Sequence, residues 1–112
     1  MFQGVAGNFE RYMTLLSARQ KLVASNIANA DTPGYRTKDI NFRAEFENAM
    51  GGQAPAVVEP QGLTVKSDGN NVNLDREARL LAENALRFSI ASSFARSDLS
   101  SIRAAIQDGK NS

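Results

Sequence analysis

The chain has 112 residues, with 13 Lys and Arg against 12 Asp and Glu, so its net charge is +1. This length allows one small domain, and the balanced charge gives no sign of a nucleic acid or an anionic membrane as a partner. Cysteine and histidine are both absent, which excludes disulfides, thiolate chemistry and every nucleophile that a histidine activates. The composition favours a binding or structural protein over an enzyme, with no cofactor and no small-molecule substrate.

Residues 5–30 have the period of an α-helix. Phe9, Leu16 and Val23 are seven residues apart, and Ile27 follows Val23 by four, which is the spacing of a coiled-coil seam. The helix is expected to stop near Asn29 or Ala30, because a turn motif follows it. In this motif proline fixes φ and glycine tolerates the positive φ of a type II turn. The motif consists of Asp31, Thr32, Pro33, Gly34 and Tyr35.

A second helix is predicted over residues 74–108. One series of residues spaced by seven is Leu74, Leu81, Phe88, Ala95 and Ile102, and a second series follows it by four at Ala78, Ala85, Ser92, Leu99 and Ile106. This pattern is typical of a coiled coil. Asn73 is the expected N-cap, and Gly109 is the expected C′ residue that ends the helix.

Between the helices the sequence predicts little regular structure. A short helix over Arg43–Met50 and a brief strand over Leu63–Lys66 are expected, with a turn at Ser67–Asn71. The predicted fold is therefore mainly α: two long coiled-coil-like helices, N- and C-terminal, joined by an irregular loop with at most a short strand or helix. As one structural domain it divides into an N-terminal helix (1–30), a turn and loop connection (31–73) and a C-terminal helix (74–112).

Residues 85–95 are apolar or small nearly all round the second helix, because Leu86, Ile90 and Phe94 lie away from the heptad series. A helix with several apolar faces is normally buried on several faces. Two explanations remain open. Other chains could cover this segment, or loop 40–66 could fold over it with its apolar residues Ile40, Phe42, Phe46, Val57, Val58, Leu63 and Val65.

Three polar groups have both a functional and a structural interpretation. Asn26 and Asn29 share one face at the end of the first helix, where satisfying the last carbonyl groups requires only one of them. A calcium site is the alternative at Asp68, Asn70, Asn71 and Asp75, but their spacing does not match an EF-hand and favours a polar turn plus an N-cap. Phosphate contact is the alternative for the basic residues Arg19, Lys21, Arg36, Lys38 and Arg43, where interleaved acids favour a solvated face.

Two segments resemble a known family. Leu22–Tyr35, continuing to Lys38–Phe42, is similar to the N-terminal signature of bacterial flagellar axial proteins, the rod, hook and related proteins. Asp68–Glu77 and Ala82–Asn84 resemble the C-terminal half of the same family. The resemblance covers about residues 14–48 and 67–108. Both motifs in so short a chain are most similar to the small proximal rod proteins of the basal body, because hook and distal-rod proteins carry large inserted domains.

The resemblance implies a structural subunit of the proximal rod, which packs helix against helix into the tubular drive shaft for motility. Its implied partners are copies of itself, other rod subunits, and membrane-ring and export-gate components at the rod base. The N-terminus lacks the basic and apolar regions of a cleaved signal, and from the residues alone we expect a cytoplasmic protein. The resemblance replaces that expectation with a periplasmic rod, reached by type III export without a cleaved signal peptide.

The implied assembly interface comprises Leu16, Val23, Asn26, Ile27, Asn29, Leu81, Phe88, Ile90, Phe94, Leu99 and Ile102. The turn motif from Asp31 to Tyr35 would set how the chain leaves the first helix. The alternative function is a stand-alone helical adaptor or chaperone that binds one partner helix in a groove. A DNA-binding protein is disfavoured by the charge, and an enzyme by the lack of a convergent acid, base or nucleophile.

Overall fold

The computed structural model describes residues 4–48 and 54–111, without the side chains of 5, 6, 98–100, 102, 110 and 111. Its elements in chain order are α1 (Val5–Ala28), β1 (Asp39–Ile40), α2 (Phe42–Glu47), β2 (Val57–Val58) and α3 (Leu74–Asn111). The mainly helical fold with two long helices and an irregular connection is confirmed.

Helix α1 ends where the turn motif predicts. Asn29 is its C-cap, and the backbone N–H of Asn29 bonds to the carbonyls of Ser25 and Asn26 at 3.0 and 3.2 Å. At the other long helix, Asn73 is confirmed as the N-cap of α3, since its side chain accepts the Arg76 N–H at 3.0 Å. The predicted stop at Gly109 is wrong. Gly109 does not adopt the positive φ of a C′ glycine, and the helix continues to Asn111.

The predicted strand over Leu63–Lys66 is also wrong. The backbone of Lys66 closes a turn instead, donating to the carbonyl of Asn70 at 2.8 Å and accepting from Gly69 at 2.9 Å. The two short strands lie elsewhere and are antiparallel, with Asp39 opposite Val58. The predicted short helix is present as α2, capped by the Asn41 side chain, which accepts the Ala44 N–H at 3.1 Å. Met50, its predicted end, lies outside the described residues.

Helices α1 and α3 pack side by side in opposite directions. Asn26, near the end of α1, bonds to Glu77 in the first turn of α3, whereas Leu16 in the middle of α1 bonds to Asn84, further along α3. At 1.5 Å per residue the 24-residue α1 is about 36 Å long and the 38-residue α3 about 57 Å. The C-terminal part of α3 therefore extends past the start of α1, and the molecule measures 72 × 26 × 17 Å.

The connecting segment packs on α1 and not over the far side of α3. The Tyr12 ring meets the rings of Phe42 and Phe46 edge-on, with centroids 5.5 and 5.9 Å apart. Leu86, Ile90 and Phe94 remain 60, 60 and 61% exposed. The interpretation that loop 40–66 covers the apolar segment 85–95 is therefore wrong for this side of the helix.

Candidate assembly interface

The turn motif adopts the predicted type II geometry. Gly34 has φ of 76°, and the N–H of Tyr35 donates to the carbonyl of Thr32 at 3.2 Å. The second half of the chain meets this turn backbone to backbone. The N–H of Gly34 donates to the carbonyl of Asp68 at 2.9 Å, and a Cβ on Gly69 would lie 3.4 Å from the Cα of Gly34. Gly34 and Gly69, with φ of 76° and 89°, both adopt the left-handed conformation that glycine takes without strain.

Asn26 joins three parts of the chain. Its side-chain N–H groups donate to the carbonyl of Lys38 at 2.8 Å and to Glu77 Oε1 at 2.9 Å. Its oxygen accepts from the backbone N–H of Lys38 at 3.0 Å and from the hydroxyl of Tyr35 at 2.9 Å. The side chain is fully buried, and all four of its hydrogen-bonding positions are used. Asn26 therefore fixes the exit of the chain from α1 against the start of α3.

Asn29 has a local role. Its side chain donates to the carbonyl of Ser25 at 2.8 Å and accepts from the hydroxyl of Thr32 at 3.0 Å. The Ser25 carbonyl, which also accepts the backbone N–H of Asn29 at 3.0 Å, thus receives a second hydrogen bond at the end of α1. Of the two asparagines, Asn29 is the one with the expected capping role, and Asn26 makes the long-range contacts.

Asn70 and Asn71 return from the second half of the chain to the same turn. Asn70 donates to the carbonyls of Asn29 and Thr32 at 2.9 and 2.8 Å. The oxygen of Asn71 accepts the N–H of Thr37 at 2.6 Å, and the Thr37 hydroxyl donates to the carbonyl of Asn71 at 3.1 Å. These bonds form the polar turn that the sequence predicts. Within residues 4–48 and 54–111, no group of acidic side chains is clustered to hold a metal ion.

Asp39 is the centre of a buried ion-pair network. Its carboxylate accepts from Arg19 at 3.0 and 3.1 Å, from the N–H of Ile40 at 2.7 Å and from Arg76. Arg76 also donates to Glu77 at 2.6 Å. Burial would raise the pKa of Asp39, but the hydrogen bonds from Arg19, Ile40 and Arg76 outweigh it, and the pKa is lowered. We call the buried polar set the polar clamp: Asn26, Thr37, Asp39, Asn70, Asn71 and Glu77.

Three residues of the predicted basic cluster are paired with carboxylates. Arg19 binds Asp39, the Arg36 guanidinium lies 2.8 Å from Glu59, and that of Arg43 lies 3.6 Å from Glu47. The hydrogen bond from Arg36 lowers the pKa of Glu59, and the same bond raises the pKa of Arg36. Arg36 and Arg43 are exposed, as the solvated-face interpretation expects, whereas Arg19 lies in the buried network of Asp39.

The face of α3 that meets α1 differs from the predicted seam. Glu77, Asn84 and Ala91 are buried there, and they too are spaced by seven. Asn84 donates to the carbonyl of Leu16 at 2.9 Å and to the side chain of Gln20 at 3.1 Å. Polar contacts thus set the register of the two helices. The predicted apolar series lies along the edge of this contact, so its large residues remain partly exposed.

The predicted interface residues fall into three groups. Leu16, Val23 and Asn26 are buried inside the chain and form its core and clamp. Ile27, Leu81, Phe88, Ile90 and Phe94 keep exposed surface that a neighbour can contact, while Asn29 is half-buried. The side chains of Leu99 and Ile102 lie outside the described residues. Three clamp residues that the sequence reading missed are Thr37, Asp39 and Glu77.

Two apolar stripes remain exposed on α3. The front stripe is Leu74, Leu81 and Phe88, which are 53, 37 and 49% exposed, and the back stripe is Leu86, Ile90 and Phe94. Ile90 follows Leu81 by nine residues, which at 100° per residue places it about 180° around the helix. With α1 on a third face, α3 has apolar or buried surface in three directions. None of the described helices has the length and apolar composition needed to span a membrane.

Comparison with known proteins connects the end of α1 and the turn motif with a family. Residues 13–36, which contain the end of α1 and the type II turn, match the family described as flagella basal body rod protein. The flagellar basal body rod protein FlgB of Escherichia coli is 32% identical, over 87% of this chain and 88% of that protein. Those of Yersinia enterocolitica (34%; 68 and 74% covered) and Borrelia hermsii (30%; 71 and 78%) are similar too. This chain belongs to the FlgB family of flagellar basal body rod proteins.

Proposed function

We infer that this chain is a structural subunit of the proximal rod of the flagellar basal body, and that it assembles by packing α3 against helices of neighbouring subunits. The exposure of the back stripe carries this inference. Three large apolar side chains in consecutive turns are about 60% exposed in the isolated chain. Contiguous apolar surface of this kind marks a protein–protein contact.

In this function the polar clamp holds the two long helices of each subunit in a fixed relative position. It connects the end of α1, the turn and the first turn of α3 through buried hydrogen bonds, including those of Asn26 and Asn70. Because both helices are fixed to one turn, we expect α1 and α3 to move as one unit in the rod.

Further parts of this proposal concern partners and location. Copies of this chain, other rod subunits, and membrane-ring and export-gate components at the rod base are the proposed neighbours. The subunit reaches the periplasmic rod by type III export, and its role is structural and not catalytic. Membership of a rod protein family and the exposed stripes of α3 support these assignments.

Electron microscopy of basal bodies tests the function directly. Deleting the gene should leave membrane rings without a rod, and the wild-type gene should restore it. A gene with Ile90→Gln/Phe94→Gln should fail to restore the rod, whereas the control Arg79→Gln, also exposed on α3, should restore it. Rods and swimming that persist after deletion would overturn the proposal, and a helical adaptor with one partner would then be the better interpretation.

A further inference from the structure

Two Asp–Gly sequences occur in this chain, Asp68–Gly69 and Asp108–Gly109. Glycine has no side chain to keep its backbone nitrogen away from the preceding carboxyl group, so such a sequence is prone to form isoaspartate. Asp68–Gly69 lies in a turn beside Asn70 of the polar clamp. We propose that Asp68–Gly69 is an isoaspartate site that the polar clamp keeps unreactive, and that it is modified in chains whose clamp has not formed.

The reaction requires water and no other reactant. The Gly69 nitrogen loses its proton and forms a bond to Cγ of Asp68, while one carboxyl oxygen leaves as water, which closes a five-membered imide. Water then adds to the imide. When the bond between the nitrogen and the former backbone carbonyl breaks, Gly69 stays attached through Cγ. The product is isoaspartate, with one additional carbon in the main chain.

The folded turn holds both reacting groups on other partners. The N–H of Gly69 donates to the carbonyl of Lys66 at 2.9 Å, and the Asp68 side chain accepts the N–H of Asn70 at 3.0 Å. The backbone carbonyl of Asp68 also accepts the N–H of Gly34 at 2.9 Å. The nitrogen and the carboxyl carbon meet only when these bonds break, so isoaspartate formation requires the turn to open.

The polar clamp makes this opening costly. The side chain of Asn70 is fully buried and donates to the carbonyls of Asn29 and Thr32 at 2.9 and 2.8 Å. Opening the turn separates these buried groups, and a buried polar group without a partner is unfavourable. The side chain of Asp68 is itself exposed, so water reaches it. The block is therefore conformational and does not depend on excluding water.

Asp108–Gly109 provides a comparison within the same chain. Both residues are exposed, and they lie in the last turn of α3, which ends at Asn111. Helix ends open locally at a free energy near zero, whereas segments fixed to a core open at a cost closer to that of global unfolding. In the folded chain we therefore expect isoaspartate at Asp108 and very little at Asp68.

Modification at Asp68 should prevent the clamp from forming. In isoaspartate the former backbone carbonyl becomes a free carboxylate, which displaces the group that accepts the Gly34 N–H. The additional carbon also shifts Asn70 relative to its acceptors, Asn29 and Thr32. A chain that is modified while open therefore cannot close the turn in the same way, and the damage marks chains that were slow to fold.

The rate of isoaspartate formation at each site tests the proposal. The folded wild type and the same chain unfolded in urea are incubated at neutral pH, and isoaspartate at Asp68 and Asp108 is quantified by peptide mapping with mass spectrometry. The Asp68 rate, relative to the Asp108 rate, should be at least about 10-fold lower in the folded chain, because the turn reacts only in molecules in which it is open. Equal relative rates in the two states would overturn the proposal.

A substitution in the clamp tests its role separately. Asn70→Ala removes the side-chain bonds that hold the turn to the end of α1, and it should raise the Asp68 rate of the folded chain without changing the Asp108 rate. The matched control Asn41→Ala, which removes the cap of α2, should leave both rates unchanged. An Asp68 rate that stays at the wild-type value in Asn70→Ala would contradict the proposal.

Circular dichroism reports whether these variants keep their helices. If Asn70→Ala does not fold, the wild type at increasing urea concentrations takes its place, and the Asp68 rate should rise with the unfolded fraction. An Asp68 rate that is independent of the unfolded fraction would reject the block by the fold. None of these rates depends on whether the chain forms a rod, so their failure leaves the rod function standing.

Discussion

Replacing Asn26 with alanine is the most informative perturbation of the polar clamp. The change removes the partner of the Lys38 N–H, the Lys38 carbonyl and Glu77 Oε1, whereas the Tyr35 hydroxyl keeps the Ser25 hydroxyl 3.1 Å away. An unsatisfied buried polar group costs about 1–3 kcal/mol. Three groups lose a partner, and the two of Lys38 are only partly buried, so we expect the free energy of unfolding to fall by about 3–5 kcal/mol. This is a large part of the roughly 5–15 kcal/mol by which a domain is folded.

Urea unfolding followed by circular dichroism measures this loss. With an m-value of about 2 kcal/mol per molar, a loss of about 4 kcal/mol lowers the midpoint by about 2 M. All samples need one low protein concentration, because association would add to the apparent stability. Asn29→Ala is the matched control three residues away. Its bonds to Ser25 and Thr32 are local, so we expect a loss of about 1 kcal/mol or less. Equal midpoints for the two variants would refute the reasoning.

Three further changes test other parts of the clamp and the helix contact. The pKa of Asp39 is lowered in the fold. The stabilisation from its carboxylate is therefore present above the unfolded pKa of about 3.9 and is lost as pH falls through the folded pKa. Asp39→Asn should be less stable than the wild type at pH 7, and the difference in unfolding free energy between the two proteins should close towards pH 2. Gly69→Ala should cost about 1–2 kcal/mol in urea unfolding, because φ is 89°, a conformation that alanine adopts only with strain. Asn84→Asp should cost about 2–4 kcal/mol in the same assay, because its carboxylate cannot donate to the Leu16 carbonyl, whereas Asn84→Leu should cost less.

The helices could be predicted from the sequence because their signals are local. Apolar spacing, the Pro33–Gly34 turn and the Asn73 cap all act within a few residues, and the structure has α1 and α3 with these limits. The end of α3 could not be predicted in the same way. A glycine ends a helix only where the chain turns into a positive φ, and Gly109 does not make that turn. The strands were missed because each has two residues and depends on pairing with a distant segment.

The sequence indicated only part of the polar clamp. Asn26 and Asn29 indicated a polar helix end, but the partner of Asn26 is Glu77, 51 residues away. A glutamate in the first turn of a helix ordinarily complements the helix dipole at the surface. Glu77 is instead fully buried, because Asn26 and Arg76 supply donors to both of its oxygens. Hydrogen bonds between residues so far apart in the chain leave no periodic pattern in the sequence.

The face of α3 was assigned by its apolar residues, and that choice explains why the predicted seam lies at the edge of the α1 contact. Two heptad series run along the helix: Leu74, Leu81 and Phe88 in one, and Glu77, Asn84 and Ala91 in the other. The polar series faces α1 because the Leu16 carbonyl and the Asn26 amide satisfy its buried groups. The apolar series then lacks cover within the chain. Burying these exposed leucine and phenylalanine side chains against a further chain would lower the free energy by removing apolar surface from water. The difference between the predicted and the observed seam is thus itself an argument that this subunit completes its core by assembly.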